Sequence, residues 1–262
     1  MNILEEIHKY KIEFINECKT KKPLNELKRK SLDIPKKKNN FLNKLKNKKS
    51  NINIIGELKR ASPSAGNIVQ QDIDLLKISK IYEKSGISCL SILTDEKYFK
   101  GSIDDLSNIK KVTTLPILRK DFIVDEYQIY ESFLYGADCI LIIMALINQK
   151  LASELEELAA SLGIDSIIEV HNDEEIYQST FLKSDLIGIN NRNLKDFSVD
   201  INNSVNLSKS IAENKIIISE SGIKTKEDIS FTMNNSKIKT FLIGESLMSS
   251  LDIEVSIRNL LT

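Results

Sequence analysis

Residues 138–170, DCILIIMALINQKLASELEELAASLGIDSIIEV, hold one full cycle of the pattern that organises the chain. At its ends, DCILII and DSIIEV are short β-branched runs, apolar at successive positions as strands buried on both faces are. Between them, Gln149–Leu162 repeats its apolar residues at helical period. Gly163 follows, where a left-handed C-cap suits glycine. Strand, helix and strand in that order make a parallel repeat.

The same alternation fills the chain after Asn51. NINIIGEL, ISCLSIL and LPILRK come before this repeat; DLIGIN, KIIIS and KTFLIG come after it. Helical stretches at Asp72–Ser85, Tyr127–Tyr135 and Lys226–Met233 separate several of them, and Gly86 and Gly136 occupy the place of Gly163. Eight strands, each followed by a helix, predict an α/β fold of the closed (β/α)8 TIM-barrel type rather than an open sheet. The expected boundaries are a helical extension over 1–50 and a barrel over 51–262. No linker divides the two, so 1–262 reads as a single domain.

Composition narrows the function classes. The 262 residues carry Lys+Arg 37 against Asp+Glu 37, with 41% hydrophobic and 28% charged. That balance excludes disorder, collagen and a small disulfide scaffold. The longest apolar run, Cys139–Ile147, is far short of the roughly 20 residues of a spanning helix, so no membrane partner is expected. MNILEEIHKYKIEF places acids where a secretory signal has its basic region. Cys18, Cys89 and Cys139 lie at no metal-ligand spacing, and two sit in apolar runs, which predicts free thiols in a reducing cytoplasm. With His8 and His171 isolated, no metal is expected.

The neutral total hides an asymmetry. Lys19–Ser50 holds thirteen Lys/Arg against two acids, leaving the remainder net acidic by eleven. The stretch lacks interleaved aromatics, and Phe41, Leu42 and Leu45 recur at helical spacing, so no nucleic-acid partner is expected. A mobile basic loop followed by a short helix, laid against the barrel, is the reading it supports.

In a barrel of this kind the site lies at the C-terminal ends of the strands. Those ends carry Glu57, Lys59, Lys120, Glu169, Asn190, Arg192, Glu220 and Ser221. Glu57 and Lys59 share a parity, Lys120 shares one with Leu118, and Glu169 with Ile167, so the polar groups should cap inward apolar layers. Such a cluster of both signs exceeds what solvated loop ends explain. The last two strands end in Ser221-Gly222 and Gly244-Glu245-Ser246, small-residue turns suited to a phosphate. Ser62 and Ser64 of SPSAG could add hydroxyl donors.

The strings GELKRASPSAGNI, SILTDEKYFKGS, ILRKDFIVDEYQIYES, GADCILII, IIEVHNDEE, IGINNRNLKDFSVD, SESGIKTKEDI and FLIGESLM carry a resemblance. In order and spacing the chain resembles the indole-3-glycerol-phosphate synthase family of tryptophan biosynthesis from the first strand onward. Residues 1–50 match in character only, as the family's extra helical segment. Ser184 and Asn235-Ser236 stand where glycine-containing turns are expected, at the end of the barrel opposite the site.

The resemblance implies ring closure, decarboxylation and dehydration of 1-(2-carboxyphenylamino)-1-deoxyribulose 5-phosphate to indole-3-glycerol phosphate, carbon dioxide and water. It implies Lys120 as general acid, with nearby cations lowering its pKa, and Glu169 and Lys59 for the dehydration, with Glu57 in the same network. Which of Lys59 and Glu169 serves which step stays open. It also implies Asn190 and Arg192 as substrate contacts, and Lys59 as partner of the anthranilate carboxylate. Phe99, Phe122 and Leu141 would sandwich the anthranilate ring; plain packing is a rival reading for Leu141. Ser62, Ser221, Gly222, Gly244 and Glu245 would cradle the phosphate, with the Glu245 side chain pointing away. No cofactor is implied, and a monofunctional monomer, open to weak association with other enzymes of the tryptophan pathway, is expected. Cations at Lys36, Lys37 and Lys38 could steer the doubly anionic substrate. The rivals are a phosphosugar isomerase, which does not need two lysines and an arginine round an aromatic pocket, and a non-catalytic RNA-binding barrel using Lys19–Ser50.

Overall fold

A computed structural model describes residues 3–36, 38, 40–47, 51–62, 66–68, 73–193 and 196–262. Eight parallel strands close into a barrel: β1 (Asn53–Leu58), β2 (Cys89–Leu93), β3 (Ile117–Lys120), β4 (Cys139–Ile143), β5 (Asp165–Val170), β6 (Leu186–Asn190), β7 (Ile216–Glu220) and β8 (Thr240–Ile243). Each strand pairs with the next, and β1 pairs with both β8 and β2. All eight expected strands are present within two residues of their expected limits. Gly86, Gly136 and Gly163 adopt the positive φ of left-handed C-caps, as read from the sequence.

Every strand contributes to one buried cluster that includes Ile55, Cys89, Leu118, Ile167, Leu186, Ile218 and Leu242. These are the inward layers. A second cluster, with Ile54, Leu90, Ile140 and Ile187, lies between the strands and the surrounding helices. Strand alternation then puts the residue two places beyond each inward apolar side chain at the mouth. By that rule Glu57, Lys120, Glu169 and Glu220 follow Ile55, Leu118, Ile167 and Ile218. At the turns before β6 and β8, where glycine is missing, hydroxyls do the work. Ser184 Oγ donates to the Ser166 carbonyl, and Ser236 Oγ donates to the Thr232 carbonyl.

The extension is more ordered than its charge suggested. α1 (Ile3–Lys21), α2 (Leu24–Leu32) and α3 (Asn40–Lys46) account for most of it, so the expected mobile loop is wrong over 24–32. Leu27 of α2 is fully buried, and that burial stabilises by about 1.5–3 kcal/mol. The cations lie on the outer side and meet barrel acids: Lys19 with Asp125 (2.7 Å), Lys28 with Glu126 (2.9 Å) and Lys46 with Asp185 (2.8 Å). These exposed pairs add little stability, yet they show where much of the basic charge is spent.

α3 closes the end of the barrel opposite the mouth. Phe41 and Leu45 enter the inward cluster, and the Leu42 N–H donates to Asp165 Oδ2 (2.9 Å) at the start of β5. The Lys38 carbonyl accepts from Asn43 of this helix, so Lys38, and Lys36 two residues before it, sit towards the end of the barrel opposite the mouth. Lys37 lies outside the described residues. Steering by these cations is therefore not supported by their place in the fold.

Burial pushes the Asp165 carboxyl up to about 6, against the Leu42 and Phe41 N–H groups that pull it down. A group that holds its proton more tightly when folded loses stability for the fold as pH rises from about 4 to about 6. Asp165→Asn keeps an acceptor without the charge. It is expected to raise stability at pH 8 by about 1–3 kcal/mol and to leave it unchanged at pH 4. Urea midpoints at the two pH values check this, and an equal gain at both would contradict it.

α1 crosses near the mouth and buries Ile7, Lys11 and Ile15 along one face. Lys11 is 2% exposed, between Asp95 (2.8 Å) and Asp121 (2.7 Å). Arg119 pairs with Asp121 (3.1 Å) and with Glu131 (2.8 Å), and Thr94 Oγ1 donates to Asp121 (2.6 Å). This buried network ties α1 to the segments that follow β2 and β3. Among the described residues, no helix is long and apolar enough to cross a membrane.

Candidate active site

Lys120 ends β3 with its ammonium directed at two carboxylates. Nζ is 3.1 Å from Glu169 Oε2 and 3.5 Å from Glu220 Oε2. Lys59 and Glu57 form a second pair at 2.7 Å, as their shared parity predicted. Burial, the largest influence, pushes the Lys120 ammonium down, but Glu169, Glu220 and Glu57 together push it up further. The expected lowering by neighbouring cations is thus corrected: the nearest charges are acids. Burial also raises both buried carboxyls, and Lys120 and His171 outweigh it at Glu169, which is held down. Glu220 keeps its proton well above the ordinary carboxylate range, because burial and the charges of Glu169 and Glu57 exceed the pull of Lys120.

Asn190, at the end of β6, links this centre to the last turns. It donates through Nδ2 to Glu169 Oε1 (3.2 Å), while its Oδ1 accepts from the Arg192 N–H and from Ser221 Oγ (both 3.0 Å). Ser221 and Gly222 both have positive φ, 66° and 86°. For serine that conformation is costly and needs its surroundings to hold it. Asn191 supplies the support: buried, it donates to the Ser221 carbonyl (2.9 Å) and to Ser219 Oγ (3.0 Å). Glycine at 188 is needed for a different reason. A Cβ there would lie 2.2 Å from Glu220 Oε1, so its absence makes room for that carboxyl.

A cleft of about 610 Å³ opens over these groups. Phe99, Phe122 and Leu141 line it, with the two rings 6.2 Å apart, and Leu141 also belongs to the inward core. Ser62, Ser221, Gly222, Gly244, Glu245 and Ser246 line another part. Ser64 lies outside the described residues. The Glu245 carboxylate turns to Arg192 (3.7 Å), whose guanidinium also donates to the Phe197 carbonyl (3.1 Å). All fourteen expected site residues therefore border one cleft. Sequence reasoning missed Ile3, Leu4 and Ile7 of α1, which border it too. It also gave no role to Glu220 or Asn191.

The model of the family described as "Indole-3-glycerol phosphate synthase" matches residues 4–260. The chain belongs to the indole-3-glycerol phosphate synthase family. Curated relatives agree: the indole-3-glycerol phosphate synthase of Legionella pneumophila (strain Paris) is 44% identical, covering 100% of this chain and 99% of its own. That of Caldanaerobacter subterraneus subsp. tengcongensis is 45% identical over 94% and 93%. Among solved structures, a thiamine phosphate pyrophosphorylase from Pyrococcus furiosus superposes with a TM-score of 0.61 at 10% identity, over 82% of this chain and 96% of that one. That likeness concerns the fold alone. Family membership and the clustered strand ends together disfavour the RNA-binding and isomerase readings.

Proposed function

We propose that the chain converts 1-(2-carboxyphenylamino)-1-deoxyribulose 5-phosphate into indole-3-glycerol phosphate, carbon dioxide and water. The observation that carries this reading is the half-buried Lys120 ammonium between Glu169 and Glu220. Aromatic rings and small-residue turns border the same cleft. As a ring carbon attacks the ketone, Lys120 hands a proton to the developing alkoxide. Loss of carbon dioxide from the ring carbon that made the attack then restores the aromatic ring. In the dehydration, Glu169, held ionised, takes a proton, and Lys59 gives one to the departing hydroxyl. Overall one proton is consumed with each carboxylate released as carbon dioxide.

Phe99 and Phe122 are suited to flank the anthranilate ring, and Lys59 to meet its carboxylate. Ser62, Ser221, Gly222, Gly244 and the backbone of Glu245 suit the phosphate, with Arg192 drawing the Glu245 carboxylate aside. Free thiols buried at Cys89 and Cys139 support a reducing, cytoplasmic setting.

The test is an assay of the purified chain with synthetic substrate, following indole fluorescence and carbon dioxide together. Equal amounts of both are expected; isomerised substrate without carbon dioxide would refute the reading. Replacing Lys36 and Lys38 by Gln is expected to leave the salt dependence of kcat/KM unchanged, since they lie at the far end of the barrel. A flatter dependence would restore a steering role.

A further inference from the structure

Glu169 is held on the side away from Lys120 as well. Its Oε1 lies 3.4 Å from Nε2 of His171, a buried nitrogen with no hydrogen-bond partner among the described residues. The other ring nitrogen, Nδ1, is 3.0 Å from Glu175 Oε2. Glu175 is fixed in turn: it accepts from the His171 N–H (2.8 Å) and from Asn172 Nδ2 (2.7 Å). Asn172 Oδ1 accepts the Glu175 N–H (2.9 Å) and so caps the helix Asp173–Ser179. The turn after β5 thereby sets the ring between two carboxylates, with the His171 side chain 12% exposed and that of Glu169 2%.

A ring facing a carboxylate at each nitrogen is satisfied when both nitrogens carry protons. Burial pushes the imidazole down, but the facing carboxylates of Glu169 and Glu175 outweigh it and lift the group to about 10. Lys120 of β3 meets the other oxygen of the Glu169 carboxylate, with Glu220 of β7 beside it.

We propose that His171 is a positioning residue for Glu169, a standing positive charge that keeps this carboxylate aimed and ionised while Lys120 spends its own charge. The proposal rests on the reading of Lys120 as proton donor and Glu169 as base. At rest, Lys120 is the main counter-charge of Glu169. Once its ammonium has protonated the ketone oxygen, a neutral amine remains, and a buried carboxylate without a cation would take up a proton. His171 is a cation that the reaction does not consume.

The test has two arms on the full chain. Histidine labelled with nitrogen-15 reports two rings, His8 and His171. One is expected to stay doubly protonated at pH 8, and His171→Gln removes that signal. A His171 ring that is neutral at pH 8 overturns the proposal without any appeal to turnover. In kinetics, His171→Gln, which keeps a donor but no charge, is expected to move the acid limb of kcat up by about 1–2 pH units. Glu175→Gln shifts it the same way by less. A higher KM with an unmoved limb would show a structural role only and overturn the proposal. Failure of the underlying reading looks different: the parent shows no turnover, or Glu169→Gln retains parental kcat.

Discussion

Lys120→Ala is expected to lower kcat by about 10²–10⁴-fold, the usual contribution of a general acid. Substrate should still bind, because the aromatic rings, Lys59 and the phosphate turns are untouched. An interaction made only in the transition state reduces kcat and kcat/KM together when it is removed. The variant also leaves Glu169 and Glu220 without the ammonium 3.1 and 3.5 Å away. Glu220 already tends to hold a proton, so the added charge to be neutralised falls mainly on Glu169, which keeps His171 and Asn190 as partners. The fold should therefore survive. Single-turnover kinetics with bound-substrate titration separate the effects, and a variant turning over at near-parental rate would remove Lys120 from the chemistry.

Lys11→Met is expected to produce the largest loss of stability, for a reason unrelated to catalysis. It leaves Asp95, 0% exposed at its side chain, opposite an apolar group, and Asp121, 2% exposed, with Arg119 alone as counter-charge. Removing one member of a buried ion pair costs about 3–5 kcal/mol, because the remaining charge has nowhere to go. For a chain of this size that corresponds to a fall in Tm of roughly 6–20 °C. The pH dependence has a definite sign. Burial raises the Asp121 carboxyl, but Lys11 and Arg119 outweigh it and hold it at about 2. Its contribution is thus present above the ordinary aspartate pKa and is lost as pH falls towards 2. KM should also rise. α1 brings Ile3, Leu4 and Ile7 to the cleft, Asp95 caps the short helix that carries Phe99, and Asp121 adjoins Lys120. Adding Asp95→Asn to Lys11→Met should recover part of the stability. A single variant with an unchanged Tm would contradict the role given to this network.

The barrel was legible because its strands are apolar at consecutive positions and its helices end on glycines with positive φ. Parity placed Glu57, Lys59, Lys120 and Glu169 at the mouth, since alternation along a strand is local and rigid. What parity cannot say is which side chain meets which. The sequence suggested cations beside Lys120, whereas three acids converge there from β1, β5 and β7. α2 was hidden by its charge, because the few apolar residues facing inward, led by Leu27, are outnumbered by lysines and arginine facing out. The place of α1 over the cleft left one trace, a lysine at position 11 in line with Ile7 and Ile15. A cation in the middle of an apolar stripe signals a buried partner, but its partners lie more than eighty residues away. His171 looked isolated for a different reason: both of its carboxylates, Glu169 and Glu175, are sequence-local, but sequence alone does not show that the ring turns to them, and its value depends on Glu169 being central to the site.

A crystal structure of the chain with bound product tests the arrangement most directly. The phosphate should rest on Ser221-Gly222 and Gly244, the indole ring beside Phe99 and Phe122, and the Lys120 ammonium on the glycerol side of the ring, within hydrogen-bonding reach of the ligand or a bridging water. An ammonium turned away from the ligand, or a phosphate bound elsewhere than these turns, would contradict it.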